Sequence, residues 1–332
     1  MKMNANRLNQ TAKKFLQKIR LHYLAYRDIR RFTRYAAFSV FDDSYDQLCA
    51  RIMYNVHAIE KGLSRGKNMR VGFGRKALAN LNDALVVYSG KGYSRETYTY
   101  IQGRSIVHRY IDAHGKDAGL DLGTLDVVDQ SFHVGRDTFD AAGTKTIYAK
   151  DKLNNSSKGF YALSQGRSSV REFSGERVDI EKISNVLRNA GKTPSVCNRQ
   201  GWHVYVVTDK EKMQETLRLQ RGFKGYPTLP ECVLVIAVTN SAFLSPVERN
   251  EAFVDGGLFA MSVIYGLECE SLAAVPLNAM MNAADERDVR ALINVHDSEQ
   301  IIMFVAVGAF KDETIVPISD RKPLSDYMTY IA

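Results

Sequence analysis

The sequence predicts an α+β protein, a sheet flanked by helices and preceded by a mainly helical N-terminal region. Three observations carry that expectation. Apolar residues recur at helical spacing through residues 42–115, first Leu48, Ile52, Val56 and Ile59, then Ala77, Leu78, Leu81, Ala84, Leu85 and Tyr88. After residue 165, near-continuous apolar runs of strand length appear instead, as in Cys232–Val238 and Ile301–Gly308. Between the two patterns lies a polar stretch rich in Asn, Ser and Gly, residues 150–160, that reads as a loop or linker. The expected division is therefore a region 1–155 and a domain 156–332.

Composition bounds the function classes. The chain has 332 residues, 45% hydrophobic and 25% charged, which excludes collagen-like, disulfide-scaffold and wholly disordered chains. No apolar stretch approaches the roughly 18 residues that suggest a membrane span. Four cysteines, Cys49, Cys197, Cys232 and Cys269, lie far apart without a Cys-x-x-Cys pair. That spacing argues against a zinc ribbon and fits reduced thiols. The charged start shows no secretory leader, so a cytoplasmic location is expected, with the inner membrane face as a possible peripheral site.

The basic pI of about 9.2 comes from one end. Residues 1–34 hold ten basic side chains and a single acid, Asp28, whereas the other 298 residues carry 35 basic and 36 acidic ones. Leu8, Ala12, Phe15, Ile19, His22, Tyr26 and Ile29 recur there at 4-3 spacing, which predicts an amphipathic helix in a basic arm, residues 1–37. Three readings compete: the stripe docks on this protein or its dimer mate, it lies on an anionic membrane surface, or the charge binds a polyanion. Nucleic acid is not expected, because no reading module accompanies the charge.

Within 42–115, Gly62 reads as a helix C-terminal cap. Arg70-Val71-Gly72-Phe73-Gly74-Arg75 is a basic loop entering a helix, without the Gly-Lys-Ser/Thr ending of a nucleotide loop. His57 and Glu60 fall on one helix face, but two groups do not make a metal site, and no metal is expected. Further on, Asp179 begins a helix carrying Ile180, Ile183, Val186 and Leu187. Val204–Val207 is a strand, a helix spans about 251–266, and the buried runs imply a sheet of about four strands covered on both faces. Leu219–Tyr226 has the composition of a mobile lid or of a surface turn. His203, beside a strand, reads as a satisfied core histidine.

No nucleophile elbow, zinc-protease pair or Walker loop is present. What remains are separated cationic and amide-bearing segments, which point to a cofactor that brings its own reactivity. In Arg167-Ser168-Ser169-Val170-Arg171 an extended chain puts Arg167, Ser169 and Arg171 on one side. Two guanidiniums and a hydroxyl suit an anionic, planar, acceptor-rich ligand. Pro194-Ser195-Val196-Cys197-Asn198-Arg199-Gln200-Gly201-Trp202 follows, then Asp255-Gly256-Gly257 opening a helix, Pro276-Leu277-Asn278-Ala279, and Asp320-Arg321-Lys322-Pro323-Leu324.

In this order, those segments resemble the FMN-dependent nitroreductase family over residues 165–332. The resemblance implies a nitroreductase-like sheet, a homodimer with FMN at its interface, and ping-pong electron transfer from NADH or NADPH to a small-molecule acceptor. It further implies that Arg167 and Arg321, with Lys322, meet the FMN phosphate. Ser168 and Ser169 would lie nearby, with Arg171 at the N1/O2 edge of the isoalloxazine. Pro194, Ser195 and Asn198 would come from the partner subunit, with Pro276, Asn278 and Ala279 near the N5 edge. No residue is expected to be a covalent catalyst. Three places depart from the family pattern: Gly201, Leu267–Leu272 and Asn278-Ala279. His57–Ser64 with Gly72-Phe73-Gly74 resembles an extension on nitroreductase-like proteins encoded among surface-polysaccharide genes, which implies a link to that biosynthesis. The alternative is a scaffold or adaptor that keeps the fold without turnover.

Overall fold

The computed structural model describes residues 2–38, 43–114 and 141–331, with side chains from residue 10 onward. The side chains of Lys2, Arg7 and Leu8 in the basic arm, and the ends of the 42–115 stretch at Asp42 and Gly115, lie outside the described residues. The chain divides into two compact units, one of residues 1–29 with 147–314 and one of 30–146 with 315–332. The chain therefore leaves the second unit and returns to it at its end.

A long helix, α1 (Lys2–Tyr35), opens the chain. The second unit is then built on α2 (Tyr45–Leu63), α3 (Arg75–Gly90) and α4 (Tyr98–Ala113). Ser44 starts α2 with a capping box: its hydroxyl accepts from the Gln47 N–H, and the Gln47 side chain accepts from the Ser44 N–H. The residues selected by helical spacing are the core of this unit. Leu48, Ile52, Val56, Ile59, Leu78, Leu81 and Leu85 are buried together with Tyr88, Tyr100 and Tyr110. Each buried aliphatic side chain contributes roughly 1.5–3 kcal/mol.

Gly62 is not a cap. It sits inside α2, which ends at Ser64 in a right-handed conformation. A Cβ there would stand 1.7 Å from the Phe73 ring, so glycine is required by the close approach of Phe73 rather than by a turn. His57 and Glu60 differ in burial: His57 is exposed, whereas Glu60 is only 2% exposed.

In the first unit, β2 (Trp202–Val207), β3 (Cys232–Thr239), β4 (Ala273–Asn278) and β5 (Glu299–Gly308) form one sheet in the order β2-β3-β5-β4, every pair antiparallel. β1 (Thr144–Tyr148) and β6 (Glu313–Pro317) pair as a separate ribbon. Residues 232–238 of β3 are fully buried, as their unbroken apolar run demands. β4 is a strand that the sequence reading did not assign, although it expected about four. Its Pro276 cannot donate to a ladder, and β4 accordingly lies at the sheet edge.

The remaining helices are α5 (Phe160–Gly166), α6 (Ile180–Ala190), α7 (Lys210–Gln220), α8 (Glu251–Cys269) and α9 (Ala283–Ile293). Asp179 caps α6 by accepting from the Glu181 N–H at 2.9 Å. Among the described residues α8 is the one helix long and apolar enough to cross a membrane, but Phe259, Ala260, Val263, Ile264 and Leu267 are buried in the core with Leu234, Ile236, Val305 and Val307 of the sheet. Gly256 lets it approach β5, since a Cβ there would lie 2.6 Å from Ile302.

The polar segment 150–160 is not a free linker. Lys152 Nζ lies 2.6 Å from Glu268 Oε1 near the end of α8, and Asn155 Nδ2 donates to the Glu268 carbonyl at 2.7 Å. The departure from the family pattern at 268 thus has a structural reason: the carboxylate anchors the chain that enters the domain.

Candidate functional site

The Arg167–Arg171 segment leaves α5 in extended form and runs beside the edge strand β4, where the Val170 N–H donates to the Ala274 carbonyl at 2.9 Å. Ser168 and Val170 turn inward, while Arg167 and Ser169 are half-buried, as a period of two requires. Arg171 departs from that alternation and is buried, 8% exposed. Phe173 then bridges to Phe310 and closes the segment against the core. The stretch from Gly166 to Arg171 contains two arginines, two serines and no acid. That donor set favours an anionic, acceptor-rich ligand.

β4 carries Pro276 and ends at Asn278. The Asn278 side chain accepts from the Met280 N–H at 3.0 Å, and its carbonyl accepts from Gln220 Nε2 at 2.8 Å. Gln220 also holds the Gly222 N–H at 2.7 Å, and Phe223 is buried and stacked on Phe173 at 5.9 Å. The segment 219–226 is therefore fastened to the end of β4 by an amide and to the core by a ring. The mobile-lid reading does not hold for Leu219–Phe223.

The segment after α6 is a strained turn held at three points on its own unit. Thr193 Oγ1 donates to Ser262 Oγ at 2.6 Å. The Val196 N–H donates to the Asp255 carboxylate at 3.1 Å, and Arg199 pairs with Glu248 at 2.9 and 3.2 Å in fork geometry. Asp255 does not open a helix as expected. It lies in the second turn of α8, buried, where it acts as the acceptor that the turn needs. Cys197, Asn198 and Gln200 all have left-handed φ values, between 50° and 55°. Three such non-glycine residues in four store strain that the pins must offset. Pro194 and Asn198 are left exposed and Ser195 half-buried, with Ser195 Oγ accepting from the Gln200 N–H at 2.9 Å. Trp202 leads into β2 and stacks on Phe259 at 4.8 Å.

Arg321 and Lys322 belong to the other compact unit. The sequence reading missed what positions them. Glu60 Oε1 accepts from the Gly143 N–H at 3.1 Å and from the Ser319 N–H at 3.4 Å. Gln102 Nε2 donates to the Ala141 carbonyl at 2.9 Å and to the Asp320 carboxylate at 3.4 Å, while the Tyr98 hydroxyl donates to the Asp320 carbonyl at 2.9 Å. Burial, and then the Asp320 carboxylate, push the Tyr98 phenol up to about 12, so it stays a donor. The helices of this unit thus grip the two residues that precede Arg321.

A second polar cluster was also missed. His203 is not a core histidine: its side chain is 53% exposed, and Nδ1 lies 2.7 Å from Glu299 Oε1. The Tyr205 hydroxyl donates to Glu299 Oε2 at 2.5 Å. A carboxylate from β5 reaching across to an edge strand has no signature in spacing. Among the described residues no group of three potential ligands is arranged to hold a metal ion.

Residues 165–224 match the family model described as the nitroreductase family. Over 212 residues the chain is 24% identical to iodotyrosine deiodinase 1 of Sus scrofa, spanning 56% of this chain and 73% of that protein. It is 27% identical over 213 residues to iodotyrosine deiodinase of Hydra vulgaris, spanning 54% and 76%. Among solved structures, a nitroreductase family protein from Clostridium difficile 630 aligns at 18% identity over 53% of this chain and 99% of that one, with a TM-score of 0.45. An FMN-dependent nitroreductase from Clostridium difficile R20291 aligns at 17% identity over 50% and 94%, with a TM-score of 0.40. The matched stretch holds the arginine–serine segment, the strained turn and most of the fastened loop, so the likeness to the nitroreductase family falls on the residues that build this candidate site.

Proposed function

We propose that the protein is a flavin-dependent oxidoreductase that binds FMN at a homodimer interface and passes electrons from NADH or NADPH to a small organic acceptor. The observation that carries this reading is the buried Arg171 beside β4, at the end of a run of two arginines and two serines whose following acid, Glu172, is paired with Lys311. FMN, when bound, supplies a two-electron carrier whose reduced ring bears negative charge. A guanidinium fixed and desolvated before the reaction stabilises such charge without reorganising. Arg167, Ser168 and Ser169 supply donors along the same segment. Arg321 and Lys322 supply cations for a phosphate, which carries up to about two negative charges. Pro276, Asn278 and Ala279 would border the ring edge, and Gln220 restrains the chain there through the Asn278 carbonyl.

The homodimer has its own support. Pro194 and Asn198 are exposed on a turn whose strain is held from behind, which suits delivery of Ser195 and Asn198 to a neighbouring subunit's ligand. Phe253, Val254 and Leu258 also leave an exposed apolar face on α8. A face of that kind on a core helix favours burial against a second copy.

Two acceptor chemistries compete. One is reduction of an electron-poor group such as a nitroarene. The other is reductive dehalogenation, in which two electrons and a proton replace the halogen by hydrogen and release halide. The names of the relatives, iodotyrosine deiodinases, favour the second. The test is anaerobic: add NADH or NADPH to protein loaded with FMN, follow bleaching of the flavin, then offer a nitroarene or an iodotyrosine. Bleaching followed by re-oxidation on one acceptor supports the reading and selects the chemistry. Flavin that binds but never bleaches favours the adaptor alternative, and protein that binds no flavin defeats the flavin-dependent reading.

A further inference from the structure

The apolar stripe of α1 is not buried on the chain that carries it. Of the described side chains, Leu24, Ala25 and Asp28 form the half-buried side of the helix. Asp28 holds it there: its carboxylate accepts from Arg249 Nε at 2.8 Å and from Asn250 Nδ2 at 3.3 Å, just before α8 begins. At 100° per residue, Phe15, Ile19 and Tyr26 lie on the opposite side. They are 63%, 52% and 62% exposed, so the reading in which the stripe docks on its own chain is excluded for these residues. Lys13, Arg20 and Arg27 run along one border of the stripe, with Lys14 and Lys18 along the other.

We propose that α1 lies in the headgroup layer of an anionic membrane, with Phe15, Ile19 and Tyr26 inserted and the basic borders against lipid phosphates. Charge decides between occupants. Asp28 is the only acid in the first 34 residues, and the ion pair with Arg249 consumes it in docking the helix. The outward sides are left with cations alone. A symmetric contact between two copies of α1 would bring two such helices together, at a cost in like-charge repulsion. The rest of the chain, with 35 basic and 36 acidic side chains, offers an excess of only one acid to receive the helix. An anionic leaflet offers both an apolar layer and negative potential, and each basic residue near its surface strengthens binding roughly fivefold.

The test uses the full chain and two sets of vesicles, phosphatidylcholine alone and phosphatidylcholine mixed with phosphatidylglycerol, read by co-sedimentation. We expect at least tenfold stronger binding to the anionic vesicles, weakening as salt shortens the Debye length. Phe15→Ser with Ile19→Ser and Tyr26→Ser removes the apolar stripe and keeps the charge. Lys13→Gln with Lys14→Gln and Lys18→Gln does the reverse. Both sets alter exposed positions, so helix content by circular dichroism should be unchanged, and each should lower binding at least tenfold. Equal pelleting with both vesicles, pelleting with neither, or variants that bind like the parent would overturn the proposal. So would a loss of oligomer mass by light scattering in the serine variant, which assigns the stripe to a second copy.

Discussion

Glu60 Oε1 accepts the Ser319 N–H at 3.4 Å, tying a buried helix carboxylate to a residue two positions before Arg321. Ser319 has a left-handed φ of 47°, so the backbone there needs external support. Glu60→Ala leaves the half-buried Ser319 N–H and the buried Gly143 N–H without that acceptor, at about 1–3 kcal/mol for the buried one. If Arg321 holds the FMN phosphate, the variant should bind FMN at least tenfold more weakly while binding riboflavin, which lacks the phosphate, as the parent does. Quenching of flavin fluorescence measures both. Arg321→Ala is the reference: if it too leaves FMN binding intact, the phosphate role of Arg321 fails before that of Glu60 is reached.

The Lys152–Glu268 pair, with side chains 6% and 4% exposed, should be expensive to break from one side. Glu268→Ala leaves a buried ammonium, and loss of one partner of a buried pair costs about 3–5 kcal/mol. Chemical denaturation should show that loss for either single variant. Lys152→Met with Glu268→Met should recover part of it, because no lone charge is then buried.

Acid stability should depend on Glu299. Burial pushes its carboxyl up, but hydrogen bonds from Tyr205 and His203 outweigh that and hold it below the ordinary carboxylate value. A carboxyl depressed in the folded state contributes stability above its unfolded pKa and loses it as pH falls through the folded value. Glu299→Gln should therefore lower stability at neutral pH and flatten its decline toward acid, read as Tm against pH.

Thiol chemistry separates the cysteines. Cys197 is exposed on the strained turn, whereas burial in β3 pushes the Cys232 thiol up to about 12. An alkylating reagent at neutral pH should modify Cys197 in the folded protein and Cys232 only after denaturation. Mass spectrometry of the labelled peptides checks this. Early labelling at Cys232 would mean that β3 opens on its own.

Periodicity carried much of the fold. The stripes of α2 and α3, the Asp179 start of α6 and the buried run of β3 each depend on neighbours in sequence, where spacing speaks directly. Pairing across long separations left weaker traces. β4 was hidden by Pro276, which only an edge position tolerates. Gly62 resembled a cap because the ring it accommodates, Phe73, stands eleven residues further along the chain. The cationic segments were visible as residue types. The groups that hold their surroundings, Asp255 under the turn and Glu60 under Ser319, were read in other roles, one opening a helix and the other sharing a face with His57, because an acceptor for a distant N–H leaves no local pattern. The return of residues 315–332 to the helical unit had no compositional signal, because a linker-like stretch marks where a chain bends, not where its end comes to rest.

That return has a practical consequence for anyone trimming the gene. A product beginning at residue 156 would keep the closing Arg-Lys-Pro-Leu motif but lose Glu60, Tyr98 and Gln102, the bed on which the preceding residues rest. The helical half is thus a working support for the chain's last segment, and excising it should leave an unmoored tail rather than a minimal reductase.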